Sequence, residues 1–301
     1  MTGTRQSGGI VLVDKPAGIT SHDVVSRVRR LAGTRKVGHA GTLDPAATGL
    51  LLLGLDSSTR LLTYLVGLDK EYLATIRLGV ATTTDDAEGE VLSAAPAEAL
   101  DAVSDERIGD EIATLTGRIS QVPSTVSAIK VDGKRAYALA RAGETVTLTA
   151  RDVTVSAFQL LRVDRTDGLR LDVRVECSSG TYIRALARDL GERLGVGGSL
   201  TALRRTRIGP FSVADAAPLD ESIRDAAVAP AEVASRLYPV LTLSAEQTVD
   251  LSNGKRVLVG DGHPPGPLAA ITPSGALAGI VEVSGGLAKS LVNFPTAEVV
   301  G

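Results

Sequence analysis

Residues 38–53 constrain this chain most. They read Gly38-His39-Ala40-Gly41-Thr42-Leu43-Asp44-Pro45-Ala46-Ala47-Thr48-Gly49-Leu50 and continue through Leu51, Leu52 and Leu53. A glycine-bounded, proline-locked loop empties here into an apolar run that must be buried. Gly38, Gly41 and Gly49 permit positive φ or the close approach of another backbone. Pro45 biases Asp44 away from the helical region and toward an extended one. A carboxylate held this firmly at the mouth of a buried segment is placed rather than merely solvated, and loops on a rigid scaffold are where catalytic groups sit. Taken alone, Leu43-Asp44-Pro45 is the sequence of an ordinary turn whose Asp caps a nearby amide.

The rest of the chain must supply a scaffold for that loop. At 301 residues and 44% hydrophobic content it can bury a core and divide into two domains. With no Trp, five Tyr and three Phe, the core must be aliphatic. A single cysteine, Cys177, excludes an internal disulfide and suits a reducing compartment. One Cys and three His do not make a Cys-based metal site, so no metal is expected, and with no P-loop and no G-x-G-x-x-G after a strand no cofactor is expected either. No basic-then-apolar leader and no apolar run of spanning length is present, so the expectation is a soluble cytoplasmic protein with no membrane partner.

Net charge is −3, but its distribution is uneven. Residues 1–60 carry Arg5, Lys15, Arg27, Arg29, Arg30, Arg35, Lys36 and Arg60 against Asp14, Asp23, Asp44 and Asp56. Residues 117–151 carry Arg118, Lys130, Lys134, Arg135, Arg141 and Arg151 against Asp132 and Glu144. Residues 85–111 are acidic but for Arg107, and are expected on a face away from the basic segments.

Periodicity gives a coarse element map. Residues 10–13 read as a strand, and Ser21 as the N-cap of a helix with stripe Val24, Val25, Val28 and Leu31, ended by Gly33. Residues 58–66 and 105–116 read as helices, 82–90 as polar turn. Tyr72, Ala74, Ile76 and Leu78 alternate along a strand, as do residues 153–161 and 169–177. A basic, helix-like piece spans 135–142. A helix from about 182 to 194 puts Ile183, Leu186, Ala187, Leu190 and Leu194 on one stripe. Beyond Leu237, short β-type runs alternate with turns at Asn253-Gly254 and His263-Pro264-Pro265-Gly266, as in a small all-β module. Strands and helices intersperse without a βαβ rhythm, which indicates α+β with a mostly antiparallel mixed sheet.

The Asp44 loop, with its neighbours, resembles the TruB-type bacterial tRNA pseudouridine-55 synthase family. The family pattern G-H-x-G-T-L-D-P-x-A-x-G-x-L reads across without a gap, and its catalytic Asp falls on Asp44. Val13-Asp14-Lys15-Pro16-Ala17-Gly18-Ile19-Thr20-Ser21 is similar to the family's D-K-P-x-G-x-x-S element. Asp69-Lys70-Glu71-Tyr72 is similar to D-K-x-Y, Ser179-Gly180-Thr181-Tyr182-Ile183-Arg184 to G-T-Y-I-R, and Ala202-Leu203-Arg204-Arg205-Thr206 to L-R-R-T. The motifs keep the family's order over residues 13–206; beyond Leu237 the likeness is loose. At Ser124 and Val126 the chain departs from a usual Pro and an aromatic or Met.

The resemblance implies a pseudouridine synthase fold over residues 1–236, with an RNA-binding insertion at about 120–150. It implies a PUA-like RNA-binding domain over 237–301. It implies isomerisation of uridine 55 in the tRNA T-loop, by a monomer with tRNA as its partner and no obligate protein partner. Such a reaction consumes no redox equivalent or phosphate donor; it needs an ionised carboxylate at the ribose and a pocket for a base taken out of its stack. Asp44 would be the carboxylate, either adding to the sugar or removing a sugar proton. Arg184 would hold it charged, since an opposite charge within about 4–6 Å lowers an Asp pKa by about 1–3. A cation in the first turn of a helix opposes the helix dipole, which itself calls for a partner. Tyr72 would pack its ring on the base, or carry the proton leaving carbon 5. His39 would meet the flipped-out RNA, and Lys15 would support the pocket or touch phosphate. Tyr182 and Leu203 would line the pocket, and Lys130, Lys134 and Arg135 would bind RNA from the insertion. Two other readings share these motifs: a guide-dependent synthase subunit of H/ACA particles, and a non-catalytic RNA-binding or tRNA-folding protein.

Overall fold

The computed structural model describes residues 8–124, 148–295 and Val299, with the backbone alone of 130–131 and 134–135. Two compact units result: residues 1–45, 49–66 and 210–301 form one, and 46–48 with 67–209 form the other.

In the first unit the leucine run is the strand Thr48–Leu55. It pairs antiparallel with Gly9–Lys15, Val11 opposite Leu53 and Lys15 opposite Gly49. It also pairs with the short strand Val37–His39, His39 opposite Leu53. The helix Ser21–Leu31 buries Val24, Val25 and Val28 in the same core as Val11, Val13, Leu51 and Leu53. Its N-cap is Thr20, not Ser21. The Thr20 hydroxyl accepts from the Asp23 amide at 3.0 Å, and the Asp23 carboxylate accepts from the Thr20 amide at 2.8 Å. That reciprocal box satisfies two end amides and leaves the Ser21 hydroxyl free for another task. The helix expected over 58–66 is a 3-10 turn, Asp56–Leu61, running into a short α-helix, Leu62–Val66.

The C-terminal part of this unit holds a five-stranded sheet in the order Val240–Thr242, Pro267–Ile271, Leu277–Ser284, Leu287–Asn293, Val257–Leu258. Its first pair is parallel and the others antiparallel. It also carries a helix, Ala245–Ser252, which strand-like alternation did not foresee; Ser244 and Gln247 form its capping box.

The second unit is built on an antiparallel sheet ordered Gly198–Ile208, Lys70–Leu78, Leu169–Cys177, Arg151–Asp164, Gly117–Gln121. Period-two alternation sorts its faces. Tyr72, Ala74, Ile76 and Leu78 are buried together with Leu171, Val173 and Val175. The opposite face is crossed by charge pairs, Arg174 to Glu71 at 2.5 Å and Arg207 to Glu176 at 3.0 Å. The helices Asp105–Thr114 and Ile183–Leu194 pack on the sheet and bury Ile108, Ile112, Leu186 and Leu190. Lys130–Val131 and Lys134–Arg135 form a two-stranded ribbon. Arg135 is therefore strand rather than the start of a helix, and residues 136–142 lie outside the described residues.

Candidate active site

The first unit carries the Asp44 loop. Asp44 is half-buried, between buried Leu43 and exposed Pro45, and both neighbours are pinned by residues 15–21, which lead into and open the first helix. The Ser21 hydroxyl accepts from the Leu43 amide at 2.9 Å and donates to the Leu43 carbonyl at 3.1 Å. On the other side the Pro45 carbonyl accepts from the Gly18 amide at 2.9 Å and from Lys15 Nζ at 3.1 Å. Lys15 is fully buried, and its ammonium also donates to the carbonyls of Pro16 at 2.9 Å and Ile19 at 2.8 Å. A buried ammonium is tolerated only with such partners. The ammonium thus ties the segment before the first helix to the carbonyl that follows Asp44. The glycines divide their duties. Gly41 and Gly49 sit at φ +93° and +103°, whereas a Cβ on Gly38 would meet Leu62 Cδ1 at 2.8 Å. His39 ends its short strand, half-buried.

The second unit carries Tyr72, Leu203, Tyr182 and Arg184. Tyr72 lies mid-sheet, opposite Val175 on one side and Arg205 on the other, with only 7% of its surface exposed. Leu203 stands opposite Ala74 on the same face, diagonal to Tyr72. Arg205 is 1% exposed, a cation in the sheet interior beside the ring. Two residues along, Lys70 is also buried, and burial, with the like charge of Arg205, pushes its ammonium down to about 8. Burial pushes the Cys177 thiol, opposite Lys70, up to about 11.

Arg184 occupies the first turn of the Ile183–Leu194 helix and is buried. Its partners include the Thr84 carbonyl at 2.8 Å and Asp86 Oδ2 at 3.3 Å. Arg188, one turn on, pairs with Asp85 at 3.1 Å and Asp189 at 2.7 Å. The 85–86 loop is itself anchored, the Leu200 amide donating to the Asp85 carbonyl and the Ala87 amide to the Leu200 carbonyl, both at 3.0 Å. Asp85 and Asp86 complement the two arginines that the helix presents toward their turn. Tyr182 precedes the helix, its amide donating to Gln121 Oε1 at 2.9 Å and its carbonyl accepting from Gln121 Nε2 at 3.1 Å. Gln121 therefore does for the start of this helix what Ser21 does for the aspartate loop.

The structure joins Lys15 to the Asp44 loop in the first unit. In the second it sets Tyr72 with Leu203 on one sheet face and Tyr182 with Arg184 at one helix start. The side chains of Lys130, Lys134 and Arg135 lie outside the described residues. Sequence reasoning missed Ser21's second role, Gln121, Arg205 and the Asp85-Asp86 turn. Only the last left a signal, two acids in a Thr-rich turn between strands. Among the described residues no group of His, Cys, Asp and Glu could hold a metal ion, and no helix is long and apolar enough to cross a membrane.

Solved structures share the fold. A chain in the structure of an H/ACA RNP bound to a substrate RNA containing 2'-deoxyuridine superposes with a TM-score of 0.71 at 22% identity, over 97% of this chain and 86% of that one. A chain of the archaeal box H/ACA sRNP Nop10-Cbf5 complex gives 0.70 at 23%, over 99% and 89%. At such identity the likeness speaks for the fold. Sequence comparison goes further. Residues 29–183 match the model of the TruB family pseudouridylate synthase N-terminal domain. Residues 184–243 match the tRNA pseudouridylate synthase B C-terminal domain, and 238–295 the tRNA pseudouridine synthase II C-terminal domain. The segment beyond Leu237, whose likeness to the family looked loose, is thus a family segment. The tRNA pseudouridine synthase B of Leifsonia xyli subsp. xyli is 63% identical over 97% of this chain and 98% of its own length. That of Thermobifida fusca is 54% identical over 95% and 98%. The chain belongs to the TruB family and carries the pseudouridine synthase fold.

Proposed function

We infer that this protein is a tRNA pseudouridine synthase, an isomerase that detaches the base of a uridine from its ribose and rejoins it through carbon 5. Relatives of that name match it over nearly their full length at 52–63% identity. The observation that carries the reading to this chain's own atoms is the double pinning of Asp44. Ser21 holds the residue before it, and Lys15 with Gly18 hold the residue after it. A carboxylate fixed at both flanks has little orientational freedom left to lose when it acts, and such preorganisation is where positioned catalytic groups gain rate.

The residue roles are as follows. Asp44 is the ionised carboxylate that acts on the ribose. Tyr72 presents its ring to the base, where stacking contributes about 1–3 kcal/mol, and its phenol takes the proton from carbon 5. Arg184 supplies fixed positive charge, with Asp86 and Thr84 holding its guanidinium still. His39 meets the flipped-out RNA; Tyr182 and Leu203 line the base pocket; Lys130, Lys134 and Arg135 bind RNA from the insertion. The catalytic domain spans 1–236 and the PUA-like domain 237–301, a division supported by the C-terminal match that begins at 238. The substrate site is uridine 55 of the T-loop, and the enzyme works as a cytoplasmic monomer without guide RNA. Likeness to H/ACA chains at 22–23% identity gives the guide-dependent reading no weight beyond the shared fold. Incubating pure protein with unmodified tRNA transcripts and no guide RNA, then mapping pseudouridine, tests this directly. Product at one T-loop uridine is expected; no product in any tRNA overturns it.

A further inference from the structure

The cations of residues 1–60 do not all serve the aspartate loop. Arg29, Arg35, Lys36 and Arg60 line one open groove of the first unit, where the end of the Ser21–Leu31 helix, the following turn and the 3-10 turn Asp56–Leu61 meet near Pro295. All four are exposed.

Two features set this group apart. First, the arginines of the second unit are mostly neutralised: Arg118, Arg162, Arg165, Arg174, Arg184 and Arg188 each have a carboxylate within 4 Å. In the groove Arg29 is held instead by the Val37 carbonyl at 3.2 Å, and Arg60 by the Asn293 carbonyl. A carbonyl anchors a guanidinium without cancelling its charge, and four of its five donors stay available. Among the described residues the single acid in the lining is Asp56, which accepts from the Thr34 hydroxyl and shares its charge with Arg224 at 3.7 Å, outside the lining. Second, the turn bearing Arg35 and Lys36 is stiff. The Asp56 amide donates to the Lys36 carbonyl at 2.8 Å, the Thr34 amide to the Arg29 carbonyl at 3.2 Å, and the Lys36 amide to the Thr34 hydroxyl at 3.2 Å. Positive charge is therefore both in excess, four cations against one carboxylate among the described residues, and preorganised.

We propose that this groove is a binding site for the phosphate backbone of the RNA substrate. The turn runs directly into the strand Val37–His39, which leads to the aspartate loop, and the lining continues to Gly38, so the groove reaches the residue next to His39 and one polynucleotide can span both. The assignment rests on the reading of the chain as a tRNA-modifying enzyme and adds where the substrate's backbone is held. Arg35 and Lys36 each take one phosphate as an ion pair; Arg29 and Arg60 steer.

The test is the salt dependence of tRNA binding. A fluorescently labelled, unmodified tRNA transcript is titrated with wild type, R35A/K36A, the charge-retaining R35K/K36R, and R162A as a control at an acid-paired surface arginine. Loss of two phosphate contacts shallows the slope of log Kd against log salt by about two and weakens binding roughly tenfold per contact near 0.1 M salt. R35K/K36R keeps the wild-type slope, and R162A changes neither quantity. Thermal melts confirm that each variant is folded. A folded R35A/K36A with wild-type affinity and slope overturns the groove, as does an equal loss in R162A. A wild-type protein that binds tRNA but makes no pseudouridine fails the functional reading instead, and the slope comparison still decides the groove.

Discussion

Replacing Ser21 by Ala removes one oxygen and should separate stability from positioning. The hydroxyl is 3% exposed as a residue and serves both the amide and the carbonyl of Leu43. Its loss leaves a buried amide without a described partner, at a cost of about 1–3 kcal/mol, and takes one of two acceptor positions from the carbonyl, for about 1 kcal/mol more. The sum, about 2–4 kcal/mol, corresponds to a Tm lower by roughly 3–6 °C for a chain of this size. The Thr20–Asp23 capping box is untouched, so the helix itself should persist. What is released is the residue before Asp44. A displacement of about 1 Å in a catalytic group costs up to about a hundredfold in rate. Single-turnover pseudouridine formation at saturating tRNA, run at least 20 degrees below the variant's Tm, should therefore fall by about ten- to a hundredfold while Kd for tRNA stays within about threefold. A lower Tm with a wild-type rate would refute the claim that Ser21 positions Asp44 and leave it a stabilising contact only.

Tyr72 carries two proposed duties that substitution can separate. Tyr72→Leu should abolish turnover, whereas Tyr72→Phe should cleave and rejoin the base yet stall before losing the carbon-5 proton; tritium release from carbon 5 at the wild-type rate by the Phe variant would leave stacking as its only role. Asp86→Asn keeps Oδ1, which accepts from the Thr84 hydroxyl at 2.5 Å, and sets an amide donor against Arg184. It should lower the single-turnover rate at least about tenfold, because a buried cation loses a carboxylate partner; an unchanged rate would show that Arg184 does not depend on this clamp. Lys70 gives a pH signature. Its folded pKa is lowered to about 8 from 10.5, so the unfolded chain holds this proton more tightly and the buried charge costs stability below pH 8. That cost fades as pH rises toward 10.5. Cys177 acts in the opposite sense from pH 9 upward, since its pKa is raised from 9.0 to about 11. The clean window is pH 8–9, where urea melts should show wild type gaining stability relative to Lys70→Met; a difference constant from pH 7 to 9 contradicts the burial of that charge.

Much of the first unit could be read from the chain because its signals are local. Pro45, the flanking glycines and Leu50 to Leu53 specify a fixed loop entering a buried strand, and the structure has it so. Alternation at Tyr72, Ala74, Ile76 and Leu78 likewise fixed a strand face. What escaped was long-range. Ser21 looks like a cap because Ser, Thr and Asp are interchangeable there by propensity; only the tertiary placement of Leu43 shows that Thr20 caps and Ser21 reaches across. Gln121 and Tyr182 lie 61 positions apart, and Asp86 and Arg184 farther still, so no window of sequence joins them. Charge counting is silent for the same reason: Asp85 and Asp86 belong by composition to an acidic stretch, and only sheet topology shows that they meet the arginine-bearing helix.

The central claim is that Asp44 performs the chemistry. Asp44→Asn preserves shape and removes charge. Pure wild type and Asp44→Asn should bind an unmodified tRNA transcript with similar Kd and melt within a few degrees of each other. Wild type alone should convert uridine 55 to pseudouridine without guide RNA. Pseudouridine formed by the Asn variant at a rate near wild type would contradict the account.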